Sequence, residues 1–129
     1  MKLQKTTFKP GTRVRLKDFD TRETSGLTKE ESYPIAEGDT HLIGDLAYKL
    51  YAENSRALLI VLQGMDTAGK DGAIRHIMRC VNAQATEVIP FKKPSSEELD
   101  HDFLWRVHKK IPATGNIGIF NRSHYEDVL

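Results

Sequence analysis

A short apolar run that empties into a glycine loop constrains this chain more than any other feature. Residues Ala57 to Leu62 lack polar alternation and are too few for a helix, so they predict a strand buried on both faces, as in a parallel sheet. Directly after it Gly64, Gly69 and Lys70 meet the spacing Gly-x-x-x-x-Gly-Lys, and helical spacing returns with Ala73, Ile74, Ile77, Met78 and Val81. Strand, loop and helix thus follow in the order that a Walker A phosphate-binding loop, or P-loop, requires. Glycines let the backbone curl until successive N–H groups face one anion, the helix adds its positive end, and the lysine neutralises phosphate oxygens. The phosphate-binding candidates are Gly64, Met65, Thr67, Ala68, Gly69, Lys70 and Asp71.

Asp71 stands where such loops carry Ser or Thr to bring a hydroxyl to magnesium, so metal ligation must differ from that of an ordinary nucleotide hydrolase. Asp66, inside the loop, either replaces that ligand or is a turn former bonding its own backbone.

The rest of the chain fits one α/β domain. Residues 1–38 read as an extended arm with turns at Pro10-Gly11 and Tyr33-Pro34, and residues 1–24 set seven Lys/Arg against Asp18, Asp20 and Glu23. The domain is expected over 39–129. Its first helix starts at Asp39 or Thr40, carries an apolar face of Leu42, Ile43, Leu46, Leu50 and Tyr51, and ends near Asn54. A second strand is expected over Thr86–Phe91, closed by Lys92-Lys93-Pro94. Ser95 and Glu98 form a capping-box signature for a helix with Leu99, Phe103 and Val107 on one stripe, stopped by Pro112 and Gly115. A third strand follows at Ile117–Phe120. That alternation argues for helices on both faces of a parallel sheet.

A formal net charge of +1 makes no global case for nucleic acid, and a single cysteine, Cys80, allows no internal disulfide. The five histidines show no metal spacing, and no apolar run approaches the roughly 18 residues of a membrane span. A soluble, cytoplasmic protein is expected, with no nucleic-acid or membrane partner. The chain stops on Val128-Leu129 with no polar tail, which reads as a cut.

The loop Gly64 to Gly72, the stretch Phe91-Lys92-Lys93-Pro94-Ser95 and the stretch Phe120-Asn121-Arg122-Ser123-His124-Tyr125-Glu126-Asp127-Val128-Leu129 together resemble the family-2 polyphosphate kinases. The likeness is strongest to the subgroup that phosphorylates both nucleoside mono- and diphosphates. It implies a P-loop kinase-like, thymidylate-kinase-related three-layer sandwich, with inorganic polyphosphate as donor, AMP or ADP as acceptor and Mg2+ between them. It further implies that Lys70 grips phosphate, Asp66 acts at the metal, and Arg122 stabilises the transferring group. Asn121 takes the place of an aspartate found in other subgroups; its carbonyl can still ligate magnesium, with Glu126 and Asp127 as helpers or as the acidic start of a helix. Lys92 and Lys93 either meet the polyphosphate or are solvated strand-end lysines. Arg75 and Arg79 either extend a basic track or form the wet face of their helix. Relatives in that family form homo-oligomers and continue into further strands and a basic lid, so weak or no transfer is expected from these 129 residues alone. An ATP-dependent kinase on the same fold, or a phosphate-binding fragment that needs a partner chain, are the alternatives.

Overall fold

The computed structural model describes residues 9–127 apart from 16, 18, 21 and 23; the positions read above as Asp18, Glu23, Val128 and Leu129 lie outside the described residues, as do the side chains of Glu126 and Asp127. Two compact units, Met1–Glu37 and Gly38–Leu129, divide the chain.

In the first unit the turn at Pro10-Gly11 is present, with Gly11 at φ 82 and Thr12 N–H donating to the Lys9 carbonyl at 3.1 Å. The expected turn at Tyr33-Pro34 is not. Helix α1 runs Lys29–Glu53 with Pro34 inside it, ten residues earlier than the start read at Asp39. Its start is a capping box: Glu31 N–H donates to the Thr28 hydroxyl at 3.2 Å, and the Glu31 carboxylate accepts from Thr28 N–H at 2.9 Å. Pro34, the sixth helical residue, has no N–H to give to the carbonyl four residues before it, so the helix runs on with one backbone hydrogen bond missing there.

The second unit holds a three-stranded parallel sheet of β1 (Leu58–Leu62), β2 (Thr86–Pro90) and β3 (Ile117–Asn121), in the order β1-β3-β2. Helix α2 covers Lys70–Met78, so Val81 lies beyond its end. β3 is the central strand, and residues Ile117 to Phe120 are all buried. Its alternating side chains serve two cores. Ile117 and Ile119 join Ala47 of α1 and Ile74 of α2, while Phe120 joins Ile89, Phe91 and Val107. With helices α1 and α2 on one face and a short helix on the other, this is an incomplete three-layer α/β sandwich.

Three expectations are corrected. β1 is an edge strand, not one buried on both faces: Leu58, Leu59 and Val61 are exposed, because β3 enters between β1 and β2. The apolar face read for α1 is rotated in part. Thr40 and Ala47 are buried and Ile43 and Leu50 half-buried, whereas Leu42, Leu46 and Tyr51 are exposed. The helix expected after Ser95 is two short ones, α3 (Ser96–Leu99) and α4 (Trp105–His108). The Asp102 carboxylate accepts from Leu104 N–H at 2.9 Å, a local turn that interrupts the helical ladder and leaves Leu99 and Phe103 exposed.

α1 comes close to the segment that follows α2 at Gly44, where a Cβ would fall 2.5 Å from the Cys80 carbonyl oxygen. Alanine ordinarily gains about 1 kcal/mol over glycine inside a helix, but overpacking against fixed backbone costs about 1–3 kcal/mol. Gly44→Ala is therefore expected to lower the urea midpoint, while Gly38→Ala on the same helix, with nothing within 4 Å of its added carbon, raises it. Equal shifts in the two variants would contradict the close approach.

Candidate functional site

The register sets Leu62, Asn121 and Pro90 side by side, so the segments leaving all three strands emerge together at the carboxyl edge of the sheet. In open α/β sheets that edge is where ligands bind. A cavity of about 630 Å³ lies there, walled by the glycine loop, the start of α2, the end of β2 and the residues Asn121 and Arg122.

The loop owes its shape to left-handed backbone at two positions, Thr67 (φ 66) and Gly69 (φ 87). Glycine takes this conformation freely, whereas a residue such as threonine holds it at a cost of about 1–2 kcal/mol. Gly69 caps α2 with no side-chain hydrogen bond, which leaves the first-turn N–H groups of Lys70, Asp71 and Gly72 without helical acceptors. Lys70 Nζ donates to the carbonyls of Gly64 and Met65, each at 2.7 Å. Of the residues read as phosphate-binding, Thr67, Ala68, Gly69, Lys70, Asp71, Lys92 and Lys93 line the cavity. Gly64 and Met65 do not, and serve instead as acceptors that aim the lysine; Met65 is 85% exposed.

Two contacts join β3 to the loop across long sequence separations. Arg122 Nη2 meets Asp66 Oδ1 at 2.6 Å, and Asn121 Nδ2 donates to Asp71 Oδ1 at 2.8 Å. The first brings together two residues read as catalytic. Asp66 is 83% exposed, so this ion pair is worth about 0–1 kcal/mol and opens readily for a competing anion or metal. The second gives Asp71 a neutral partner, and it fixes the Asn121 amide so that its Oδ1 is turned away, buried and with no hydrogen-bond partner.

Arg122 holds φ 72, left-handed backbone that a non-glycine residue adopts at a cost. Its N–H donates to the Leu62 carbonyl at 2.9 Å, which fixes the turn at the head of β1. Ser123, buried beneath it, donates to Gln63 Oε1 at 3.0 Å. Ser123 stands in a stretch that carries the family resemblance but has no implied role there, and no local pattern marks Gln63. Arg75 lines the cavity and Arg79 does not, which separates two arginines that spacing alone could not.

Cations outnumber anions on the wall: Lys70, Arg75, Lys92, Lys93 and Arg122 face Asp66 and Asp71. Among the described residues no group of three His, Cys, Asp or Glu could hold a metal. The oxygens open to a hard cation are those of Asp66 and Asp71, since Asn121 Oδ1 is buried while its amide nitrogen is held by Asp71. That set suits magnesium, which takes few protein ligands and completes its octahedron with phosphate and water. No helix among the described residues is long and apolar enough to cross a membrane.

Residues 28–129 match the polyphosphate kinase 2 (PPK2) family. The chain is 47% identical over 102 residues to the ADP-polyphosphate phosphotransferase of Rhodopseudomonas palustris, covering 79% of this chain and 35% of that protein. It is 41% identical over 129 residues to the AMP/ADP-polyphosphate phosphotransferase of Meiothermus ruber, covering 98% of this chain and 48% of that one. The crystal structure of polyphosphate kinase 2 from Arthrobacter aurescens TC1 superposes with a TM-score of 0.83 at 39% identity, over 92% of this chain and 44% of that chain. The chain thus spans about half or less of the length of these relatives.

Proposed function

Because the chain belongs to the polyphosphate kinase 2 family, we propose that it is the P-loop half of a kinase that transfers a phosphoryl group from inorganic polyphosphate to AMP or ADP with Mg2+. The observation that carries this reading is the composition of the cavity. Five cations against two carboxylates surround a space whose lone aromatic wall residue, Phe91, is only 3% exposed. Such a wall meets a linear polyanion along its length.

In this mechanism Lys70, aimed by the Gly64 and Met65 carbonyls, neutralises donor phosphate oxygens while the amides opening α2 bind the same chain. Arg122 moves from Asp66 to the equatorial oxygens of the group in transfer, where charge is spread most widely. Asp66 and Asp71 would hold the magnesium, Asn121 Oδ1 joining them only once its amide has turned over from Asp71, and the metal would supply charge neutralisation at the phosphates. Lys92 and Lys93 extend the basic wall. No covalent nucleophile is required. We further propose a cytoplasmic homo-oligomer in which Cys80 stays reduced and nucleic acid has no role.

The reading is tested with long-chain polyphosphate, Mg2+ and AMP or ADP, using this chain and a version continued to the relatives' full length. Formation of ADP or ATP from polyphosphate by the continued protein is the expected result. Transfer from ATP but not from polyphosphate would replace the proposal with an ordinary nucleotide or metabolite kinase.

A further inference from the structure

We infer that Arg106, a residue outside the cavity, is a positioning residue that holds the basic wall formed by Lys92; the inference rests on the reading of that cavity as a phosphate site. Arg106 is 8% exposed on α4, and Nη2 donates to the Lys92 backbone carbonyl at 2.7 Å. Its guanidinium lies 5.0 Å from the centre of the Phe91 ring, and Nε is 3.5 Å from Glu98 Oε1.

Each neighbour is itself anchored. Phe91 packs edge-on against Phe120 at 4.7 Å, and its N–H donates to the Asn121 carbonyl at 3.0 Å. Glu98 is the capping-box carboxylate of α3, accepting from Ser95 N–H at 2.8 Å. That backbone bond holds the Glu98 carboxyl below its usual range, against a smaller opposing effect of burial and with further help from the Arg106 charge. Arg106 therefore joins a fixed helix start to the first residue beyond the end of the Phe91 core. Lys92 is exposed at the sheet edge, with Arg106 bonded to its carbonyl from the buried side.

A buried guanidinium has five N–H donors to satisfy, and here one of them is aimed at the Lys92 carbonyl. The planar fork reaches Glu98 and Lys92 at once, while its face covers Phe91, a combination that lysine or an apolar side chain does not reproduce. Its consequence is a Lys92 backbone held in one place, so that only the side chain remains to be ordered when the ammonium meets phosphate. Removal of Arg106 should therefore weaken phosphate binding chiefly through Lys92.

The test is calorimetric titration of tripolyphosphate with Mg2+ into the 129-residue chain, comparing wild type, Lys92→Ala, Arg106→Met, Arg106→Gln, Lys92→Ala combined with each Arg106 variant, and Lys70→Ala. Lys92→Ala and either folded Arg106 variant are each expected to weaken binding about fivefold, with the double variants no weaker than the singles. A general loosening of the fold would instead multiply the two losses to about 25-fold, and that result overturns the inference, as does wild-type affinity in both Arg106 variants. Lys70→Ala separates this failure from failure of the site itself. If Lys70→Ala binds as tightly as wild type, the cavity is not the phosphate site and both readings fall.

Discussion

Arg122→Ala in the continued protein is expected to slow phosphoryl transfer by roughly 10³-fold or more while raising the KM for polyphosphate only slightly. A cation that meets the equatorial oxygens of the group in flight stabilises the transition state more than the bound substrate, and arginines in that role contribute about 10³–10⁵ in rate. Arg122 is placed for it, one residue beyond the central strand and held against Asp66 by an exposed pair that opens at little cost. Arg122→Lys keeps the charge but loses the planar fork, and should recover only part of the rate. Backbone conformation supplies a control. At φ 72 alanine carries a left-handed cost of about 1–2 kcal/mol that glycine avoids, so Arg122→Gly should be more stable to urea than Arg122→Ala and equally slow. A stable, fully active Arg122→Gly protein would remove Arg122 from the mechanism.

Lys70→Ala is the second large loss. Removing a preorganised charged donor from a phosphate site costs roughly 10²–10³ in rate, and here ground-state binding should suffer as well, because the same ammonium meets the bound donor before transfer begins. Both kcat and KM for polyphosphate are expected to worsen, unlike the Arg122 variants, where kcat carries the effect. Stability should change little, since Lys70 donates to loop carbonyls at the surface rather than to the core. An Arg at position 70 keeps the charge but cannot fit between the Gly64 and Met65 carbonyls as a compact ammonium does, and is expected to rescue binding poorly.

Local chemistry made part of this molecule legible. The strand, glycine loop and helix over residues 58–78 followed from periodicity, and the Ser95/Glu98 capping box formed as its spacing indicated. The same signature at Thr28 and Glu31 went unread because Tyr33-Pro34 was taken as a turn, whereas the helix runs through Pro34. The turn at Asp102 shows the reverse case, where apolar spacing over Leu99, Phe103 and Val107 mimicked one continuous helix. Strand order was not legible. β1 has the more apolar sequence, yet β3, which contains Gly118, occupies the centre, because burial depends on what lies beside a strand and not on its own residues.

The site divides in the same way. The loop residues were readable because the motif is local. The pairs Asp66 with Arg122 and Asn121 with Asp71 join segments 56 and 50 positions apart, and nothing local announces them. Asn121 was read as a carbonyl ligand; its amide nitrogen proves to be tied to Asp71, which answers how an aspartate is accommodated at the head of the phosphate-loop helix. Its charge is met by a neutral donor from the adjacent strand rather than by displacement of the loop. Arg106 carried no signal at all, being one of several basic residues between Arg106 and Lys110.

The central claim is that the Gly64 to Asp71 loop receives the phosphate chain, and it is tested most directly by following backbone amide resonances of the nitrogen-labelled chain during addition of tripolyphosphate and Mg2+. The amides of Thr67 to Gly72 and those of Lys92 and Lys93 should shift together with one midpoint, and Lys70→Ala should abolish that response. Shifts confined to the basic residues of the first unit, with the loop unmoved, would contradict the account.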